Sequence, residues 1–342
     1  MTDAAPRPAP GLDRTTVGLG VLLGTLAAFT TWDQWAIWST KDDYTFGYLV
    51  PLFAGYVVWD RWAESRPLLT GERGFVSGPS HPWVVRGAGL GAFGALLIFA
   101  FGTAGRIMYG TGPAPTVLMA GGLTTFALCL AFLSARGPDD TAPAAAARWR
   151  LTGLALFPAS IWLISGPFLY LVDNRIKLEL LSNVTELVSG FLRAADQTIR
   201  VSGNTIIFAN GDAVGVADAC SGIRSLSACV FAGAFLAALF LEGGPVGRLL
   251  RGAAMLVLSA GVALLLNIGR NTYLAFHALQ HGSKSLDADL AGIPHGQPGF
   301  SALGTVHDLA GNVAMGLALL LLLCLLPLLN RLGRGERSPP PA

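Results

Sequence analysis

Charged side chains are scarce in this chain. Of its 342 residues, 13% are Asp, Glu, Lys or Arg, about half the share that is usual in soluble domains. The formal net charge at pH 7 is only +2. This composition excludes an intrinsically disordered chain, which combines few apolar residues with high net charge. It also excludes the strongly basic surface that is typical of nucleic-acid-binding domains.

Cysteine is also rare. The four cysteines are scattered and give no disulfide pattern, which excludes a small disulfide-stabilised scaffold. Cys129, Cys229 and Cys324 lie within apolar runs, and we interpret them as small, buried hydrophobic residues. Cys220 has polar neighbours, Ser221 and Arg224 among them, and is therefore the only cysteine that we consider as a functional residue.

Apolar residues, by contrast, are abundant. They make up 52% of the chain, and the mean hydropathy is +0.55. These values exclude an ordinary soluble enzyme and predict an all-α polytopic membrane protein. About 20 apolar residues are needed to cross a bilayer as a helix. Eight candidate spans meet or approach that length, and they cover residues 15–37, 46–60, 84–104, 115–135, 150–172, 220–241, 251–276 and 305–329.

The distribution of Lys and Arg predicts the orientation, because these residues accumulate in cytoplasmic segments. Most of them lie on the same side as the N-terminus when eight spans are counted, so we expect both termini to be cytoplasmic. The predicted parts are an N-terminal tail (1–14), an integral membrane domain (15–330) and a C-terminal tail (331–342). The usage of many Ala, Gly and Arg residues but few Lys is typical of a GC-rich bacterium. We expect the protein to lie in the bacterial inner membrane.

An insert at residues 173–219 is predicted on the outer side. Its first part, 173–200, has apolar residues at helical spacing and is expected to form an amphipathic helix on the membrane surface. Asn210-Gly211 is a hairpin turn signal between two short strands, Thr205–Phe208 and Ala213–Val216. A small β-hairpin should therefore precede the sixth span. A second outer segment, 277–304, is rich in Gly, Pro and His and is interpreted as a loop.

Three chemically complementary residues lie at the outer ends of spans. Cys220 begins the sixth span, Arg270 lies near the end of the seventh, and His307 lies at the start of the eighth, so span counting places all three on one membrane face. A cysteine thiolate is a nucleophile, histidine exchanges protons near neutral pH, and arginine stabilises a developing oxyanion. The set predicts acyl transfer through a thioester. Arg224 lies one helical turn after Cys220, and Asn267 lies one turn before Arg270.

Each of these residues also has an ordinary interpretation. Cys220 could be a small buried hydrophobe, Arg270 an interfacial anchor and His307 a helix cap. A zinc site could be formed by His277, His281 and His295, but no carboxylate or cysteine spacing supports it. We expect no metal and no cofactor. Two other functions stay open at this point, a transporter and a non-catalytic assembly partner in surface-polysaccharide export.

Three motifs resemble those of the exosortase/archaeosortase family of membrane transpeptidases. Residues 219–225 (ACSGIRS) look like the family's cysteine motif, residues 267–270 (NIGR) like its arginine motif, and residues 307–311 (HDLAG) like its histidine motif. Residues 44–51 (YTFGYLVP) resemble a further family stretch in which Phe46 replaces the usual histidine. The resemblance extends over residues 30–329.

The resemblance implies a function. Family members are thought to recognise a C-terminal tail on exported proteins, made of a short motif, a transmembrane helix and a basic end. They cleave near the motif and transfer the protein to an acceptor. When the roles of the family's motif residues are assigned to the matching positions, the resemblance implies that Cys220 is the nucleophile, His307 the general acid and base, and Arg270 the oxyanion stabiliser. Arg224, Ser221 and Asn267 are supporting or substrate-binding residues.

Overall fold

The computed structural model describes residues 11–72, 75, 77–138, 141–165, 167–215, 223–243 and 245–334. Cys220 and Ser221 therefore lie outside the described residues. The chain divides into two compact units. The first comprises Met1–Lys41 and Thr45–Leu171, and the second comprises Asp42–Tyr44 and Val172–Ala342.

The first unit is helical. Asp13 caps the first helix by accepting a hydrogen bond from the Thr16 amide at 3.1 Å, and prolines begin two of the later helices, where their missing N–H costs nothing. The helices are α1 (Arg14–Thr40), α2 (Val50–Asp60), α3 (Trp62–Thr70), α4 (Pro82–Tyr109), α5 (Pro113–Ser134) and α6 (Ala145–Ile164), with a 3₁₀ helix at Asp42–Leu49 between α1 and α2.

Helices α4 and α5 pack backbone against backbone. At Gly122 of α5, an added Cβ would lie 2.8 Å from both the Ala95 carbonyl oxygen and the Phe99 amide nitrogen of α4. Only glycine permits an approach this close. Helix α6 joins the pair through Thr124, whose hydroxyl donates to the Ala159 carbonyl at 2.8 Å.

Buried polar residues tie α1 to its neighbours in this unit. The Asp33 side chain is fully buried and forms an ion pair with Arg106 Nε at 2.5 Å, while the Thr116 hydroxyl donates to the same carboxylate at 2.6 Å. One residue further on, Gln34 Nε2 donates to the Trp162 carbonyl at 2.9 Å. Charges inside a membrane protein are costly unless they are paired in this way.

The glycine of the segment 44–51 has a packing role. The fully buried Trp38 side chain donates from Nε1 to the Ser165 carbonyl at 3.3 Å. A Cβ at Gly47 would overlap the indole ring of Trp38. The position therefore requires glycine because the indole occupies the space of a side chain.

The second unit combines helices with a small sheet. Its elements are α7 (Pro167–Ala194), β1 (Ile199–Ser202), β2 (Thr205–Phe208), β3 (Ala213–Gly215), α8 (Ile223–Phe240), α9 (Pro245–His281), a 3₁₀ helix (Ser283–Asp287) and α10 (Val306–Arg334). The strands are antiparallel in the order β1-β2-β3, and Thr205 pairs with Gly215. The predicted hairpin is confirmed as β2 and β3, and β1 adds a third strand that we did not predict.

The amphipathic helix packs on protein. Leu181, Val184, Val188 and Leu192 of α7 are buried against β2 and the last turns of α9. The location of this helix on the membrane surface stays a prediction, and β2 and α9 cover much of the apolar face that was expected to lie there. Phe191, at the edge of this apolar face, is 52% exposed.

The helix also ends earlier than predicted, at Ala194 instead of residue 200. Asp196 adopts a left-handed backbone conformation (φ 58°). The Asp196 amide donates to the Arg193 carbonyl and the Gln197 amide to the Leu192 carbonyl, both at 3.0 Å. This is a Schellman motif, which ends the helix and turns the chain into β1.

Helices α8, α9 and α10 share one apolar core. It includes Cys229 of α8, Met255 of α9 and Leu322 of α10. Cys229 is buried as predicted, and Cys129 is half-buried. The prediction was wrong for Cys324, which is exposed on α10, because the apolar surface of a membrane-spanning helix need not be covered by protein.

The protein is mostly helical, and six of its described helices are long and apolar enough to cross a membrane. These are Arg14–Thr40, Pro82–Tyr109, Pro113–Ser134, Ile223–Phe240, Val246–His281 and Val306–Leu332. The predicted span 46–60 contains only the 11-residue α2 after a 3₁₀ stretch, and a helix of that length reaches about 16 Å. The span predicted at 150–172 is interrupted after Ile164. The structure therefore supports six candidate spans among the described residues and not the predicted eight.

Candidate active site

Arg270 and His307 come together in the second unit, although they are 37 residues apart. Arg270 lies in α9, and His307 is the second residue of α10. Arg270 Nη2 donates to the His307 carbonyl oxygen over 3.5 Å, a long hydrogen bond. Both residues are half-buried. The guanidinium therefore lies beside the first turn of the helix that carries the imidazole.

The histidine motif also supplies the space for this guanidinium. A Cβ added at Gly311 would lie 3.5 Å from Arg270 Nη2, in ordinary van der Waals contact, so the guanidinium lies directly against this glycine. Arg270 Nε is buried and has no hydrogen-bond acceptor among the residues that the structure describes. A buried N–H donor beside a histidine is a suitable group to bind an oxyanion.

A capping box fixes the start of α10. The Thr305 hydroxyl accepts from the Asp308 amide at 3.1 Å, and the Asp308 carboxylate accepts from the Thr305 amide at 3.1 Å and from its hydroxyl at 2.8 Å. This reciprocal pairing satisfies backbone donors that a helix N-terminus would otherwise leave open. The carboxylate next to His307 in sequence is therefore engaged in holding the helix start.

Asp289 organises the loop that leads into α10. Its side chain is buried and accepts from three backbone amides, those of Ala291 (2.9 Å), Ile293 (2.8 Å) and Ser301 (2.9 Å). The Val306 amide then donates to the Ala288 carbonyl at 2.8 Å. The hydrogen bond from the Ile293 amide makes the largest contribution to lowering the pKa of Asp289, and burial opposes the shift. The carboxylate is therefore a fixed anchor for the loop that leads into α10.

Replacing Asp289 by alanine should loosen this loop while the helices stay folded, because three buried amides lose their common acceptor. Backbone amide exchange of residues 288–304, followed by mass spectrometry in detergent, should become faster. In the wild-type loop, protection from exchange, corrected for the intrinsic pH dependence of amide exchange, should fall on acidification. A carboxylate with a lowered pKa stabilises the fold above its usual pKa and loses that effect as pH falls through the folded value.

The matched control is Asp287→Ala, two residues earlier, where the side chain is exposed. Exchange in the loop should stay at the wild-type rate in this variant. Equal exchange in the Asp289 and Asp287 variants would contradict the role of Asp289 as the loop anchor.

The supporting residues are placed as follows. Asn267 is buried one turn before Arg270, and Asn271 Nδ2 donates to the Asn267 carbonyl at 2.8 Å. Asn271 was missed in the sequence, although its spacing of four from Asn267 was visible. Arg224 lies in the first turn of α8 and is exposed.

The three histidines of the alternative zinc site do not form a cluster. His277 and His281 stack with ring centroids 4.5 Å apart, and His295 packs edge-on against Phe300. Within the described part of the chain, no group of three His, Cys, Asp or Glu residues could hold a metal ion. The geometry gives this alternative no support.

Comparison with known proteins identifies the family. A family model described as transmembrane exosortase matches residues 38–324, which is most of the chain and includes all three motifs. Curated proteins and solved structures give no significant match. The multi-pass helical architecture agrees with the family description. The chain therefore belongs to the transmembrane exosortase family.

Proposed function

We propose that this protein is a membrane cysteine protease or transpeptidase that cleaves C-terminal sorting tails of exported proteins. The observation that carries the proposal is the Arg270 guanidinium beside the start of the His307 helix, with a buried Nε that has no acceptor among the described residues. Family membership supports the same reaction class. Cys220 supplies the nucleophile in this proposal, three residues before α8 begins.

The proposed reaction has two half-steps. His307 takes the proton of the Cys220 thiol, and the thiolate attacks the scissile carbonyl carbon, forming a C–S bond. Arg270 stabilises the resulting tetrahedral oxyanion. The C–N bond then breaks, the leaving amine takes the proton from His307, and a thioester remains. Water or an acceptor amine attacks the thioester next and releases Cys220 as a thiol, with His307 again moving the proton.

The remaining residues have supporting roles in the proposal. Asn267 and its neighbour Asn271 hold the α9 segment that carries Arg270. Arg224 and Ser221 flank the nucleophile in sequence, where they could bind the tail motif or the thiolate. In this proposal the site faces the outer side of the inner membrane and both termini are cytoplasmic. The Lys and Arg distribution gives this orientation when eight spans are counted.

Tail cleavage with and without Cys220 tests the proposal. The protein is co-expressed with exported proteins that end in a short motif, a transmembrane helix and basic residues. We expect wild type to shorten the substrate on an immunoblot and Cys220→Ala to leave it at full length. Mass spectrometry of the new C-terminus distinguishes hydrolysis from transfer, because an acceptor adds mass.

The matched control is Cys324→Ala, since this cysteine is exposed on α10. It should cleave as wild type does. Equal cleavage by wild type and Cys220→Ala would refute the cysteine mechanism and favour a non-catalytic role in export. Membrane abundance and thermal midpoint of each variant, measured in detergent, show whether a loss of cleavage reflects loss of fold.

A further inference from the structure

The second unit contains a small cavity that adjoins His307. Its volume is about 30 Å³, and it lies between α7, strands β2 and β3, α9 and the 3₁₀ helix after α9. Most of its walls are apolar. The described residues that form them include Val188, Ile206, Val214, Leu274, Ala275 and Leu286.

The walls of this cavity are firmly placed. Val188, Ile206 and Ala275 are each at most 1% exposed and belong to the core that α7, the sheet and α9 share. Leu286 closes one side from the 3₁₀ helix. A cavity with rigid apolar walls discriminates by size, because each extra methylene group of a ligand must displace packed atoms.

Three further lining residues relate the cavity to the proposed chemistry. His307, the proposed acid and base, contributes to the wall together with Asn271. Gly215, the last residue of β3, also lines the cavity, and it precedes Cys220 by five residues. A side chain in the cavity would thus belong to a residue close to the bond that reacts.

We propose that this cavity is a specificity subsite for one small apolar side chain of the tail, on a residue that flanks the scissile bond. The inference rests on the proposed function. Its volume suits one or two methyl-sized groups, so alanine and valine fit, and leucine and phenylalanine do not. Selection for a small side chain would then come from the walls, whereas His307 and Arg270 act on the bond itself.

The test varies the size of the flanking residue. Once mass spectrometry has located the cleaved bond in a wild-type substrate, each residue flanking it is changed in turn to Ala, Val, Leu or Phe. At one of the two positions, wild type should cleave the Leu and Phe substrates about 10- to 200-fold more slowly than the Ala substrate. This is the range of rate effects that a single methylene group has in an apolar pocket.

Two variants of the enzyme then change the cavity in opposite directions. Leu286→Ala enlarges it and should raise cleavage of the Leu substrate relative to the Ala substrate by about 10-fold or more. Ala275→Leu fills it and should slow cleavage of the Ala and Val substrates too. Leu290→Ala is the matched control, since Leu290 follows in the same loop and is 64% exposed. It should keep the wild-type profile.

The outcomes separate this inference from the proposed function. Cysteine-dependent cleavage whose size profile is the same in wild type and Leu286→Ala would overturn the subsite and leave the proposed function intact. A cavity that holds only water would give this result. If no tail is cleaved in a Cys220-dependent way, the proposed function fails and the subsite fails with it. If Ala275→Leu does not fold, the Leu286→Ala comparison alone decides.

Discussion

Replacement of His307 by glutamine is expected to reduce tail cleavage by about 10²- to 10⁴-fold, the range for loss of a general acid and base. Glutamine keeps much of the size and hydrogen-bonding capacity of histidine, but it does not exchange protons near neutral pH. The imidazole takes no part in the capping box that Thr305 and Asp308 form. It also takes no part in the hydrogen bond from Arg270, which the main-chain carbonyl of residue 307 accepts. The fold should therefore survive the substitution.

Two measurements check this prediction. The first is the rate of substrate cleavage in membranes, with the thermal midpoint as a fold control. The second is the rate at which a small alkylating reagent modifies Cys220, which should fall because His307 no longer takes the thiol proton. His295→Gln is the control, since this histidine lies in the loop against Phe300. A His307→Gln variant that cleaves at the wild-type rate would remove His307 from the mechanism.

The largest expected loss of stability comes from Asp33. Replacing it by leucine leaves Arg106, which is only 20% exposed, without its partner. It also removes the acceptor of the buried Thr116 hydroxyl. Breaking a buried ion pair from one side costs about 3–5 kcal/mol. The measurement is thermal or denaturant unfolding of the purified protein in detergent.

The pair also offers its own internal control. In the double variant Asp33→Leu, Arg106→Leu no buried charge is left without a partner, and an apolar pair is often as stable as the ion pair it replaces. The double variant should therefore recover much of the stability that the single variant loses. Asp60→Ala, at the exposed end of α2, should have little effect. A single variant as stable as wild type would contradict the structural role of the pair.

Much of the site follows from the sequence because its residues lie at the ends of long apolar runs. Counting spans places Arg270 and His307 at the same end of neighbouring helices, and they are in contact in the structure. The capping pattern of Thr305 and Asp308 was also readable. The anchoring role of Asp289 could not be predicted, because its three amide donors are 2, 4 and 12 residues away. A hydropathy pattern carries no information about such hydrogen bonds.

Local backbone chemistry explains where the fold differs from prediction. The helix α7 ends at a left-handed aspartate, where glycine would have been the recognisable signal. Strand β1 was missed because only Ile199 and Val201 alternate with polar residues. The span at 46–60 has the composition of a membrane helix, but its first four residues belong to a 3₁₀ helix.

The close contact between α4 and α5 has a mechanical consequence. At Gly122 the two backbones touch without side chains between them, and only a short turn, from Gly110 to Gly112, connects the two helices. Side chains can change rotamer to let helices slide, whereas backbone atoms in contact cannot. The pair should therefore move as one stiff body, and any hinge within the first unit must lie at another helix boundary.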